Sequence, residues 1–164
     1  MDASVRFRTA DITPVVEQAR RFGVFLARNN FMMAMHVHPA MLTYFYVQPC
    51  QLAPFYETAG GFVAVNNDGF VQAAVVDPWV ACAFSPRCLC PIENDTTDCY
   101  RFVGCRMRDD VYFRCHRFDQ AALGVILATL FDRKVTGLTH ELEHDTVPWF
   151  AFRRDDRVNY FPDQ

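Results

Sequence analysis

The sequence predicts an α+β fold, in which a mostly antiparallel β-sheet of about six to eight short strands packs with two main helices. Apolar residues recur at helical spacing in two segments, about 13–28 and 119–133. Elsewhere, short runs of β-branched and aromatic residues alternate with turn residues, which is typical of an antiparallel meander. A length of 164 residues fits a single globular domain over 1–164.

The first helix is predicted over 13–28, after a lead-in or edge strand within residues 1–10. Thr13 followed by Pro14 is typical of an N-cap and a first helical position. Apolar residues then follow at helical spacing, namely Val15, Ala19, Phe22 and Leu26.

The middle of the chain predicts strands. Residues 66–69 read Asn-Asn-Asp-Gly, which tolerate positive φ and predict a hairpin between the segments on either side. A loop over 85–98 and a second hairpin, over 100–117, follow. The predicted strands are 42–47, 61–65, 70–76, 79–84, 100–107 and 111–117.

The second helix, about 119–133, begins at Asp119, which can cap it, and Gly137 suits a left-handed residue at its end. This segment is apolar on most faces, which predicts deep burial. A last hairpin is predicted from 138–146 and 147–154.

The composition excludes several classes of protein. An apolar fraction of 51% excludes a disordered chain, and a net charge of −3 indicates no whole-molecule attraction to nucleic acid or anionic lipid. The longest apolar stretch, 121–131, is shorter than the about 20 residues that span a bilayer. With no secretory signal at the start, we expect an intracellular protein of the cytoplasm or nucleus that is not secreted.

Lysine is almost absent, since all of the 16 cationic residues except Lys134 are Arg. Two interpretations stay open: a GC-rich genome, or avoidance of internal ubiquitin acceptors. The second fits a viral accessory protein that acts on host factors.

The seven cysteines form an odd set, which favours reduced thiols over a disulfide framework. Most are expected to be buried as small apolar side chains. The alternative is a structural zinc site, because soft ligands cluster in and near one loop. Its candidate ligands are Cys88, Cys90, Cys99 and His116.

Residues 140–144 read His-Glu-Leu-Glu-His, which resembles the zincin metalloprotease family over these five positions. The resemblance implies that His140 and His144 bind zinc and that Glu141 acts as general base. The segment, however, alternates with a period of two, which predicts a strand with Glu141 on the face opposite both histidines. A zinc-dependent hydrolase is therefore kept as the alternative function, and we expect no enzymatic activity.

The predicted hairpin over 100–117 combines arginines with aromatic residues. Such a face is typical of single-stranded RNA binding, a second alternative, and equally of protein interfaces. The candidate binding residues are Arg101, Arg106, Arg108, Tyr112 and Arg114.

No catalytic constellation stands out, and we expect a non-enzymatic module for protein–protein interaction or regulation. It would bind a protein partner, with a homodimer as one option, and no cofactor apart from the zinc alternative. At this net charge we expect a protein and not a nucleic acid as the partner.

Overall fold

The computed structural model describes residues 5–89, 118–134, 139–141 and 148–152 of the chain. Strand β2 (Val24–Met32) is the middle strand of a three-stranded mixed sheet. Strand β3 (Tyr56–Val65) pairs with β2 antiparallel, and β4 (Thr139–Glu141) pairs with it parallel. Strands β1 (Val5–Phe7) and β5 (Phe150–Phe152) form a separate antiparallel pair. The α+β class is confirmed, although the described ranges contain fewer strands than predicted.

Helix α1 (Thr13–Phe22) is shorter than the predicted 13–28. Gly23 ends it with a φ of 84°, and the chain enters β2 at the next residue. The start also differs by one position, because Ile12 is the N-cap and Thr13 is the first helical residue. Asp11 supports this turn, since its Oδ1 accepts a hydrogen bond of 2.9 Å from the Thr13 amide.

The segments predicted as strands over 42–47, 70–76 and 79–84 are mostly helical, and those predictions are wrong. Polar side chains explain the change, because each caps a helix that follows it. His38 Nδ1 accepts from the Ala40 amide, and Asp68 Oδ1 accepts from the Val71 amide. The helices are α2 (Pro39–Tyr44), α3 (Pro49–Leu52), α4 (Gly69–Val71), α5 (Asp77–Ala83) and α6 (Pro86–Leu89).

Helices α4 and α5 form one continuous helix through a wider π turn, Gln72–Val76. Pro78 lies just after this turn. Proline has no amide hydrogen, and its ring collides with the carbonyl four residues earlier. The widened turn makes room for the ring, and the helix continues instead of breaking. The predicted hairpin across 66–69 is therefore wrong, although its first strand, 61–65, lies within β3.

The second predicted helix is confirmed as α7 (Phe118–Phe131), which continues into a 3₁₀ turn, Asp132–Lys134. Residues 121–128 are all buried, as the apolar pattern predicts. The predicted edge strand near the start is also confirmed, as β1. Within the described ranges, no helix has the length and apolar character that crossing a membrane requires.

The predicted hairpin over 138–154 is wrong, because its two arms pair with different strands. Thr139–Glu141 lies beside β2, and Phe150–Phe152 lies beside β1. The predicted strands 100–107 and 111–117 and the predicted cap at Gly137 lie outside the described residues.

Strand β2 divides the buried side chains into two clusters. Val24 and Leu26 belong to the larger cluster, with α2, α5 and α7, whereas Phe25 and Ala27 belong to a smaller one, with α1 and β5. Successive residues of a strand point to opposite faces, so a single strand can serve both clusters.

We expect Gly23→Ala to lower the free energy of unfolding by about 3 kcal/mol. An alanine there would have a strained positive φ, and its Cβ would lie 2.6 Å from Val71 Cγ2. Urea denaturation measures the change. Gly69→Ala is the control, because its Cβ meets no atom within 4 Å, and it should raise stability by about 0.5 kcal/mol. Equal effects of the two substitutions would contradict this account of the turn.

Candidate functional site

Residues 29–56 contain no Asp, Glu, Lys or Arg, although charged residues make up 21% of the chain. This stretch includes a 3₁₀ turn, Met33–Met35, and helices α2 and α3. Much of it is exposed. We call its exposed part between Pro39 and Pro54 the uncharged surface, formed by Pro39, Thr43, Tyr46, Gln48, Pro49, Cys50, Gln51, Ala53 and Pro54.

Both short helices of this surface are capped by their own side chains. His38 caps α2, as described above, and Pro39 suits its first turn. Gln48 and Gln51 form a reciprocal capping box at α3. The backbone amide of Gln48 donates to Gln51 Oε1 at 2.7 Å, and the backbone amide of Gln51 donates to the Gln48 side chain. Buried Met41, Leu42 and Leu52 hold the two helices against the larger cluster.

Tyr46 lies in an unusual backbone position just after α2. Its φ is 56°, and its amide donates to Thr43 O while the Val47 amide donates to Leu42 O. This pair of hydrogen bonds is the Schellman motif, whose left-handed residue is usually glycine. The accompanying apolar contact is also present, since Leu42 and Val47 are both buried in the same cluster.

The Tyr46 side chain gains no packing in return for this conformation, because it is 94% exposed. A left-handed φ costs a residue with a Cβ about 1–2 kcal/mol. The position therefore carries a large side chain that weakens the fold locally and does not contribute to the core. Local rules are broken in this way mostly at functional sites.

A buried polar cluster holds the uncharged stretch against β3 and α7. Glu57, which is 2% exposed, lies 2.7 Å from His36 Nδ1 through its Oε2. Gln120 of α7 donates to Glu57 Oε1, and Thr58 Oγ1 donates to the Gln120 carbonyl. The cluster joins the start of the uncharged stretch to β3 and α7, so the surface rests on a rigid base.

The His-Glu-Leu-Glu-His segment is described only at its start, and the strand predicted there is confirmed over Thr139–Glu141. His140 Nε2 lies 2.6 Å from Gln18 Oε1, and its ring stacks on Phe25. Glu141 forms an ion pair with Arg28 at 2.8 Å. His144 lies outside the described residues.

The cysteines differ from the prediction at one described pair. Cys82 and Cys88 are joined in a disulfide, so the expectation of reduced thiols is wrong for them, although their burial is confirmed. The turn between α5 and α6 brings their Cα atoms to 5.1 Å, within the usual range for this bond. Of the other proposed zinc ligands, Cys90, Cys99 and His116 lie outside the described residues.

Among the described side chains, no group of three or more His, Cys, Asp or Glu could hold a metal ion. The candidate binding residues of the 100–117 segment also lie outside the described part of the chain; they are Arg101, Arg106, Arg108, Tyr112 and Arg114. The uncharged surface was not predicted from the sequence. The feature of the sequence that indicates this surface is the long run, 29–56, without Asp, Glu, Lys or Arg.

Comparison with known proteins yields no relative: no family model, no curated protein and no solved structure matches this chain.

We expect Tyr46→Gly to raise the free energy of unfolding by about 0.5–1 kcal/mol, because glycine removes the strain at positive φ but makes the unfolded chain more flexible. Thermal or urea denaturation measures the gain. Tyr46→Ala keeps a Cβ in the same conformation and should leave stability nearly unchanged. A loss of stability in Tyr46→Gly would show that the tyrosine contributes to the fold.

We expect stability to fall as the pH is lowered from about 7 to 5. Burial lowers the pKa of His38 and of His140, so the unfolded chain binds more protons between these lowered values and about 6.5. Protonation also turns His38 Nδ1 from an acceptor into a donor, which removes the cap of α2. Urea denaturation at several pH values measures the fall. His38→Asn keeps a capping acceptor that does not titrate, and an undiminished fall in that variant would contradict the assignment to His38.

Proposed function

We propose that the chain is a non-enzymatic protein-interaction module and that the uncharged surface is its binding site. The observation that carries the proposal is Tyr46, a fully exposed aromatic side chain in a backbone position that favours glycine. Binding to another protein gives this side chain the contact that it does not make within the described part of its own chain.

The surface has the composition of the central part of a protein interface. Such regions are depleted in charged residues and enriched in Tyr, because ionised groups lose hydration when they are covered. On the uncharged surface, the ring of Tyr46 supplies apolar area, the Thr43 hydroxyl, which donates to the Pro39 carbonyl, can accept a hydrogen bond, and the Gln48 side-chain amide can donate one. No ion has to be dehydrated when these residues are covered.

The surface is also held in place before a partner arrives. Two backbone hydrogen bonds fix the turn that carries Tyr46, and the capping box fixes the start of α3. Binding then costs little further ordering of the backbone, which leaves more of the contact energy for affinity.

Photo-cross-linking tests the proposal. p-Benzoylphenylalanine is placed at position 46 in the full chain, produced in its natural host cells, and the yield of cross-linked protein is measured. We expect Thr43→Lys in the same chain to lower this yield about tenfold, since a loss of about 1.4 kcal/mol in binding has that effect. The lysine lies in the last turn of α2, where a cation does not disturb the helix.

Two controls keep the test specific. Ala81→Lys introduces the same charge at an exposed position of α5 and should leave the yield unchanged. The cross-linker at position 84 replaces Phe84, which is 85% exposed but lies outside the uncharged surface. Equal yields from positions 46 and 84, or a yield at position 46 that Thr43→Lys does not reduce, would rule out this surface as the binding site.

A further inference from the structure

We infer that the partner of the uncharged surface is a second copy of this chain, with Tyr46 of each copy inserted against the surface of the other. The inference rests on the proposed function and names its partner. It follows from the charge and the hydrogen-bonding chemistry of the exposed residues.

Charge favours this face over others for self-association. A two-fold interface brings the same patch of both copies together, so any ionised group near its axis approaches a group of the same sign. The chain carries a net charge of −3, and two copies repel each other on average. The uncharged surface brings no ionised Asp, Glu, Lys or Arg of residues 29–56 into contact.

The two histidines of the stretch do not change this balance. His38 is half-buried, and burial lowers its pKa, which favours the neutral ring. The ring of His36 is directed to the buried Glu57 carboxylate, below the surface. The groups that would meet at the interface therefore stay uncharged near neutral pH.

The polar groups of the surface are complementary to themselves. The side-chain oxygens of Gln48 and Gln51 each accept one backbone hydrogen bond in the capping box, and each amide still has its NH2 donors and a second oxygen lone pair to offer, whereas the Tyr46 hydroxyl contains one donor and an acceptor. Each can therefore pair with the same group of another copy, which two carboxylates or two ammonium groups cannot do. A different protein, in contrast, is usually selected by complementary charges, and the residues that form this surface carry none themselves.

Sedimentation velocity on the purified full chain tests the inference over a range of concentrations. We expect a reversible dimer whose dissociation constant barely changes between about 0.05 and 0.5 M NaCl, because the residues that form the surface carry no charge that salt could screen. Tyr46→Gly should weaken the dimer about tenfold or more, as loss of an anchor residue does. The same variant should be at least as stable as the natural chain, which separates loss of association from loss of folding.

Two further variants make the assignment specific. Thr43→Lys and Thr43→Glu should each weaken self-association, and an equal mixture of the two should restore a dimer, because opposite charges then meet. Phe84→Ser is the matched control, since it removes an equally prominent aromatic ring outside the surface and should leave the dimer unchanged.

A natural chain that stays monomeric up to about 100 μM, a concentration far above ordinary dimer constants, would overturn the inference. So would a dimer that survives Tyr46→Gly or that Phe84→Ser disrupts. Cross-linking from position 46 distinguishes a failure of the dimer inference from a failure of the proposed interaction function. A product with a different protein, formed by a monomeric chain, would leave the interaction module intact and exclude self-association.

Discussion

The fold depends on one strand that is buried on both faces. Residues Val24 to Ala27 of β2 are inaccessible to solvent, and they contribute alternately to the two buried clusters. Both clusters must therefore form around the same four residues. Gly23 makes this arrangement possible, because its positive φ reverses the chain from α1 into β2 without a loop. The uncharged stretch begins within this strand, at Asn29, so the start of the segment that carries the uncharged surface is positioned by the same constraint.

The sequence predicts elements well where one signal acts alone. Helix α7 has an apolar run with an acidic residue, Asp119, in its first turn, and its limits agree closely with the prediction. The prediction fails where signals compete. Val24, Leu26 and their neighbours continue the helical spacing of α1, but they are apolar on both faces, and burial between two clusters selects a strand. Around α2 and α5, β-branched and aromatic residues favour strands, yet the caps at His38 and Asp68 start helices.

The candidate site could be found only in part from the sequence. The absence of charge over 29–56 is visible in the sequence, but such a run matches none of the residue patterns that indicate a catalytic or metal site. The strain at Tyr46 is not visible there. It arises because Leu42 and Val47 are buried together, which forces the intervening turn into a left-handed conformation. That requirement belongs to the packing of the whole cluster, so no local pattern around residue 46 predicts it.

Strand β4 reaches the sheet from far along the chain, since Arg28 and its partner Glu141 are 113 positions apart. Closing such a long loop costs more entropy than pairing β2 with β3, and distant contacts slow folding. On the ribosome, β2 and β3 emerge long before β4 is synthesised. Until β4 is synthesised, one edge of the apolar strand β2 has exposed backbone groups that can pair with an incorrect strand. The nascent chain is most prone to aggregation during this interval, when chaperones would protect it most.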